Sequence, residues 1–150
     1  MTPRARLSEG GLHDLLGYQL AQASIVTSGH FQRRVGRPLG IGQVEFTLLH
    51  LIKENTSVTL TRLARALAIS APALTAWITK LEQRGLVERE RSATDRRSQH
   101  LRVTDAGQAL VTQALQGLLD EERATLDLLS PAEQAMLLEL LRKVSHTRGN

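Results

Sequence analysis

The chain of 150 residues contains no cysteine. That excludes disulfides, cysteine-ligated zinc and any thiol redox switch, and it is neutral between compartments. Aromatics are nearly as scarce, at 3%: Tyr18, Phe31, Phe46 and Trp77 are the full set. A core must then be packed from leucine, alanine, isoleucine and valine, which suits helices better than a β-sandwich. No run of about 18 apolar residues could span a bilayer, and the opening Met1–Arg6 stretch lacks the profile of a signal peptide, so a soluble, cytoplasmic protein is expected. The five histidines, His13, His30, His50, His100 and His146, form no HxH or HxxxH pair, so no metal site and no cofactor is expected. No glycine-rich phosphate loop is present, and no motif brings a serine, a histidine and an acid together; the chain reads as a non-enzyme.

What is present is ordinary globular usage, 41% hydrophobic and 23% charged, in a length suited to one domain spanning 1–150. The net charge of +4 is unevenly placed. Residues 1–57 carry six basic and four acidic groups, residues 58–104 nine and four, and residues 105–150 four and seven. A basic middle third marks where a polyanion would dock, although a solvated charged surface gives the same pattern.

Periodicity supplies the elements. Leu12, Leu15, Leu16, Leu20, Ala23 and Val26 recur at spacings of three and four, predicting a long amphipathic helix over 11–35. Gly36, Pro38, Gly40 and Gly42 predict a turn after it. Val44 to Leu51 restarts the helical pattern with Phe46, Leu48, Leu49 and Ile52, ending at Asn55–Ser57. Thr59 caps a short helix containing Leu60, Leu63, Ala64 and Leu67. Ser70 is placed as the cap of the next, with Pro72 in its first turn; Leu74, Ile78 and Leu81 form one face and Gly85 the stop. The period then changes to two, predicting strands at Leu86–Glu90 and His100–Thr104 around a polar loop. A long helix to Leu129 follows, and Ser130-Pro131-Ala132-Glu133 is a capping box opening a last one with Leu137, Leu140, Leu141 and Val144 on its face.

The fold class expected is mainly α with a small β-wing: a winged helix-turn-helix over about 44–104, with terminal helices over about 11–35 and 105–146 forming a dimerisation region. Three striped helices cannot all be covered by one small module, so a second copy is the natural cover. A helix fits the major groove and presents its first turns to base edges. The second helix of the module has no acid between Ser70 and Leu81, and its outward positions are small or hydrogen-bonding: Ala71, Ala73, Thr75, Ala76, Thr79 and Lys80. The ribbon segment 84–102 holds six arginines against three acids, with Arg96-Arg97 near its tip. Candidate DNA-binding residues are therefore Ser70, Ala71, Pro72, Ala73, Thr75, Ala76, Thr79, Lys80, Arg84, Arg96 and Arg97.

Several stretches carry a more specific likeness. Leu63-Ala64, then Leu81-Glu82-Gln83-Arg84-Gly85-Leu86-Val87, then Asp95-Arg96-Arg97 and Val103-Thr104-Asp105-Ala106-Gly107 resemble the helix-turn-helix and wing of the MarR family of bacterial regulators. The resemblance implies a homodimer on a pseudo-palindromic operator in double-stranded DNA, with half-sites roughly 34–36 Å apart. It implies that Asp95 salt-bridges arginine to keep the wing tip in shape, although Asp95 also reads as an exposed turn acid, that Arg97 enters the minor groove, and that Arg96 positions it or takes a phosphate. It implies a repressor released by a small phenolic or aromatic acid ligand, with Tyr18, Gln22, Ser24 and His50 as candidate pocket residues; each also reads as an ordinary packing or surface residue. The missing cysteine argues against the peroxide-sensing branch. Two positions depart from the family pattern: Ala76 stands where members often carry a basic residue, and Trp77 where they carry a smaller aliphatic one. The first puts base readout there in doubt; the second is core packing or a pocket wall. The competing function is a winged-helix protein-interaction module without DNA affinity.

Overall fold

The computed structural model describes residues 7–91 and 99–146. A 3-10 turn over Gly10–Asp14 precedes α1 (Leu16–Phe31), which passes through a π-helical turn (Gln32–Gly36) into α2 (Arg37–Leu39). Then follow α3 (Gln43–Glu54), α4 (Leu60–Leu67), α5 (Ala71–Gln83), β1 (Val87–Arg91), β2 (Gln99–Val103), α6 (Asp105–Leu126) and α7 (Pro131–His146). The two strands pair antiparallel, Val87 opposite Val103 and Arg91 opposite Gln99. Val58 adds one bridge to the free side of β2, its carbonyl accepting from the Leu101 N–H at 2.8 Å. The architecture is mainly helical with one small antiparallel ribbon, a winged helix-turn-helix as expected.

Leu48, Leu49, Leu74, Ile78, Leu81, Val35 and Val111 are the largest fully buried side chains. They come from α3, α5, α6 and the π turn, so one core joins the helix-turn-helix to the terminal helices. Thr59 caps α4 through its side chain, accepting from the Arg62 N–H, and Ala68 closes that helix in the left-handed region at φ 52°. Gly85, at φ 66°, turns the chain from α5 toward the wing. The capping box at Ser130 forms: Glu133 accepts from the Ser130 N–H at 2.8 Å, and the Ser130 hydroxyl accepts from the Glu133 N–H.

Five expectations are corrected. The helical path does not stop at Gly36 but runs to Leu39 and ends at Gly40, whose φ of 61° makes the turn. In the π turn the Arg37 N–H reaches back to the Gln32 carbonyl, which delivers Pro38 into the first turn of a new short helix, where its missing N–H costs nothing. The first long helix begins at Leu16 instead of 11, because Gly10 at φ 51° starts a separate 3-10 turn. Ser70 occupies the cap position of α5 with extended backbone, but its side chain makes no capping hydrogen bond. Both strands lie one residue off their expected spans, and α6 ends at Leu126, three residues early. No described helix is long and apolar enough to cross a membrane.

Candidate nucleic-acid interface

The helix α5 has two unlike faces. Leu74, Ile78 and Leu81 are wholly buried, which locks the helix against rotation. The opposite face exposes Ala71, Pro72, Thr75, Ala76, Thr79 and Lys80, rows spaced by four that stack along the axis, with Ser70 exposed at its start and Ala73 half-buried. Five of these are small enough, or short enough, to let a helix backbone approach a groove floor. Thr75 donates its hydroxyl to the Ala71 carbonyl at 2.8 Å, leaving the oxygen's lone pairs for an external donor.

The cation of α5, Lys80, and that of its C-cap, Arg84, are already engaged. Lys80 Nζ stands 2.7 Å from Glu45 Oε1 of α3. Arg84 donates to the Gly40 carbonyl at 2.8 Å and the Leu39 carbonyl at 3.2 Å. In the ribbon, Arg89 pairs with Glu82, and Arg102 with Glu88 and Glu90. The Glu88 hydrogen bond first, then the charge of Glu90, raise the Arg102 pKa further. Charge on the strands is thus largely compensated. Asp95, Arg96 and Arg97 lie outside the described residues.

Glu45 was not among the residues the sequence singled out. Its carboxylate is nearly inaccessible, and Oε2 accepts from the Gly42 N–H at 2.6 Å. Burial works against its ionisation, but the Gly42 N–H and Lys80 outweigh that and hold its pKa below the usual range. The available signal was an acid three residues after the turn glycine that starts α3, the third position of a capping box.

The four candidate ligand residues are not brought together within one protomer's described cavities. Tyr18 is half-buried on α1 and Gln22 exposed, while Ser24 donates its hydroxyl to the Ala21 carbonyl at 2.8 Å. Burial, then the charge of Glu9, push the Tyr18 phenol up. His50 sits on α3, its ring stacked on Phe46 at 6.1 Å, with Nδ1 buried and unbonded. Trp77 packs against the core and also forms one wall of a groove of about 420 Å³, with Gln32, Gly36, Val44 and Lys80. A second cavity of about 380 Å³ lies at the base of the wing, bounded by Ile52, Lys53, His100 and Asp105. No group of three or more metal-ligating side chains occurs among the described residues.

Comparison with known proteins places this geometry. The MarR family model matches residues 41–99. A putative transcriptional regulatory protein for the hcr operon of Thauera aromatica is 26% identical over 140 residues, 93% of this chain and 84% of that protein. The transcriptional repressor CouR, solved on a 23-mer DNA duplex, superposes with a TM-score of 0.85 at 32% identity, covering 94% of this chain and 99% of CouR. The same repressor has been solved with p-coumaroyl-CoA. BpsR of Bordetella bronchiseptica, whose DNA binding is regulated by 6-hydroxynicotinic acid, superposes at 0.76 with 25% identity, over 87% of this chain and 93% of its own. A likeness that runs through nearly the whole of both chains, with the winged module matched on its own, makes this chain a member of the MarR family.

Proposed function

We propose that this MarR-family regulator is a homodimeric repressor that binds a pseudo-palindromic operator in double-stranded DNA and is released by a small ligand of aromatic-acid type. The observation that carries the reading is α5: a wholly buried face fixes the helix, and the other face is exposed, free of acids and built of small or hydrogen-bonding side chains. Ser70, Ala71, Pro72, Ala73, Thr75, Ala76 and Thr79 would meet the major groove, and Arg96 and Arg97 the minor groove or its phosphates, with Asp95 holding the wing tip. The likeness to a repressor solved on DNA supports this. Relatives solved with p-coumaroyl-CoA, or regulated by 6-hydroxynicotinic acid, support an aromatic carboxylate or its thioester as effector. Tyr18, Gln22, Ser24 and His50 would line a cleft completed by the second copy, since α1 leaves its N-terminal half uncovered.

The chain is read as a single domain over 1–150, with dimerisation helices over about 11–35 and 105–146 and the winged module over about 44–104. It is read as cytoplasmic and without catalytic activity, in keeping with a family of transcriptional regulators.

Fluorescence anisotropy on a labelled duplex from the gene's own upstream region tests the proposal. Wild type should bind tightly and weaken steeply with salt; Arg96→Ala/Arg97→Ala should bind far more weakly with a shallower salt slope. Failure of wild type to bind that duplex or pooled genomic fragments would leave a protein-interaction module in its place.

A further inference from the structure

The cations at the C-terminal half of α5 point to a role different from phosphate binding. Lys80 is more than half exposed, so exposure alone would leave it free to reach DNA. Its partner is not free. Glu45 is 4% exposed along its side chain, and one oxygen is tied to the Gly42 N–H at 2.6 Å. The other, Oε1, is buried and faces the Lys80 ammonium at 2.7 Å, which is its main compensation, with the charge of Arg84 adding a smaller one. Moving Lys80 to a phosphate would strand a buried carboxylate, which costs far more than one solvent-exposed phosphate contact returns. Arg84, one turn further on, grips the same loop through the Leu39 and Gly40 carbonyls. That loop continues directly from α1 through the π turn and opens α3.

We infer that Glu45, Lys80 and Arg84 are positioning residues: they clamp the recognition helix to the α2–α3 turn and so set its stance relative to the terminal helices, without themselves contacting DNA. The inference rests on the reading of α5 as the recognition helix. It revises the expectation that Lys80 and Arg84 are DNA contacts, and adds a residue on a different helix to the determinants of operator affinity. Since each operator half-site must meet its helix in register, a small error of stance is charged twice in a dimer. Non-specific binding, which depends on phosphate neutralisation and not on register, is untouched by such an error.

The test compares Glu45→Gln, Lys80→Met, the double variant and Lys80→Arg, by anisotropy on operator and on unrelated duplex across a salt series. Each disruptive single variant should weaken operator binding by roughly tenfold, the double should be no worse than either, and Lys80→Arg should retain affinity. Affinity for unrelated duplex and the slope of log K against log salt should be unchanged. A slope reduced by about 0.9 in Lys80→Met, with Glu45→Gln binding as well as wild type or better, would mean that Lys80 contacts a phosphate and would overturn the inference. Equal loss on both duplexes with a collapsed thermal transition would overturn it too, as a purely structural ion pair. If wild type bound no DNA, the regulator reading would fail by itself. The clamp would then be judged by non-additive melting temperatures in the four-variant cycle and by the emission of Trp77, which borders Lys80 and is the sole tryptophan; additive effects and unchanged emission would sink it.

Discussion

Single residues carry the join between the two terminal segments of the chain, α6 and the end of the α1 path. Glu121 of α6 accepts from Arg33 at 2.7 Å and from Arg34 at 2.6 Å, two neighbours on the π turn. The hydrogen bond from Arg33 first, then that from Arg34, draw its pKa from 4.5 down to about 2. A carboxylate whose pKa is lower in the folded chain favours folding above its unfolded value, and that contribution is lost as pH falls through the folded one. Glu121→Gln should therefore melt below wild type at neutral pH, with the difference closing between about pH 4.5 and pH 2. Circular dichroism melts across that range give the answer, and a pH-independent difference would show that the arginines matter for shape alone. Gly107 acts at the same scale by having no side chain. A Cβ there would lie 2.2 Å from the Leu86 carbonyl oxygen and 2.7 Å from Val103 Cγ1, so the first turn of α6 can sit against the wing only with glycine. This is the physical content of the glycine in the Val103–Gly107 stretch: close approach, since its φ is not in the left-handed region.

At the scale of elements, what was legible in the sequence and what was not divide by range. The faces of α5 were legible because a three- and four-residue spacing of Leu74, Ile78 and Leu81 leaves only one way to bury them. The caps at Thr59 and Ser130 were legible because their partners lie within three residues. The π turn was not: Gly36 and Pro38 read as breakers, while the burial of Val35 and the Arg34–Glu121 pairing across 87 residues arise only in the folded chain. Glu45 escaped for the same reason, its partner Lys80 being remote in sequence and adjacent only after α5 docks. The division of α5 makes a prediction with two arms. Ile78→Ala removes a fully buried side chain and should cost about 2–5 kcal/mol of stability, read from denaturant midpoints. Thr79→Ala, on the exposed face one residue away, should change stability by less than about 0.5 kcal/mol while weakening operator binding. Reversed outcomes would mean that the helix presents a different face to DNA.

For the whole molecule the decisive feature is how little of the terminal helices one protomer covers. No residue of α7 is buried, and Met136, Leu137, Leu138, Leu140, Leu141 and Val144 are all exposed. Leu12, Leu15, Leu16, Leu20, Ile25 and Val26 are exposed at the other end of the chain. Two apolar stripes of this length exceed what a monomer leaves in water, since contiguous patches beyond a few hundred Å² mark an interface. The acidic excess falls in residues 105–150, apart from the basic middle third of the sequence. Leu137→Glu/Leu141→Glu places four charges in the paired interface and should give a monomer by sedimentation, with the winged module still folded because its core draws on α3, α5 and the start of α6. Losing one of two half-site contacts should lower operator affinity by more than about a hundredfold, because the second module no longer binds at the effective concentration that linkage provides. Affinity for a single half-site duplex should scarcely change, which separates loss of pairing from loss of fold. A variant that stayed dimeric and kept full operator affinity would show that the second copy docks elsewhere, and would leave these stripes to a different partner.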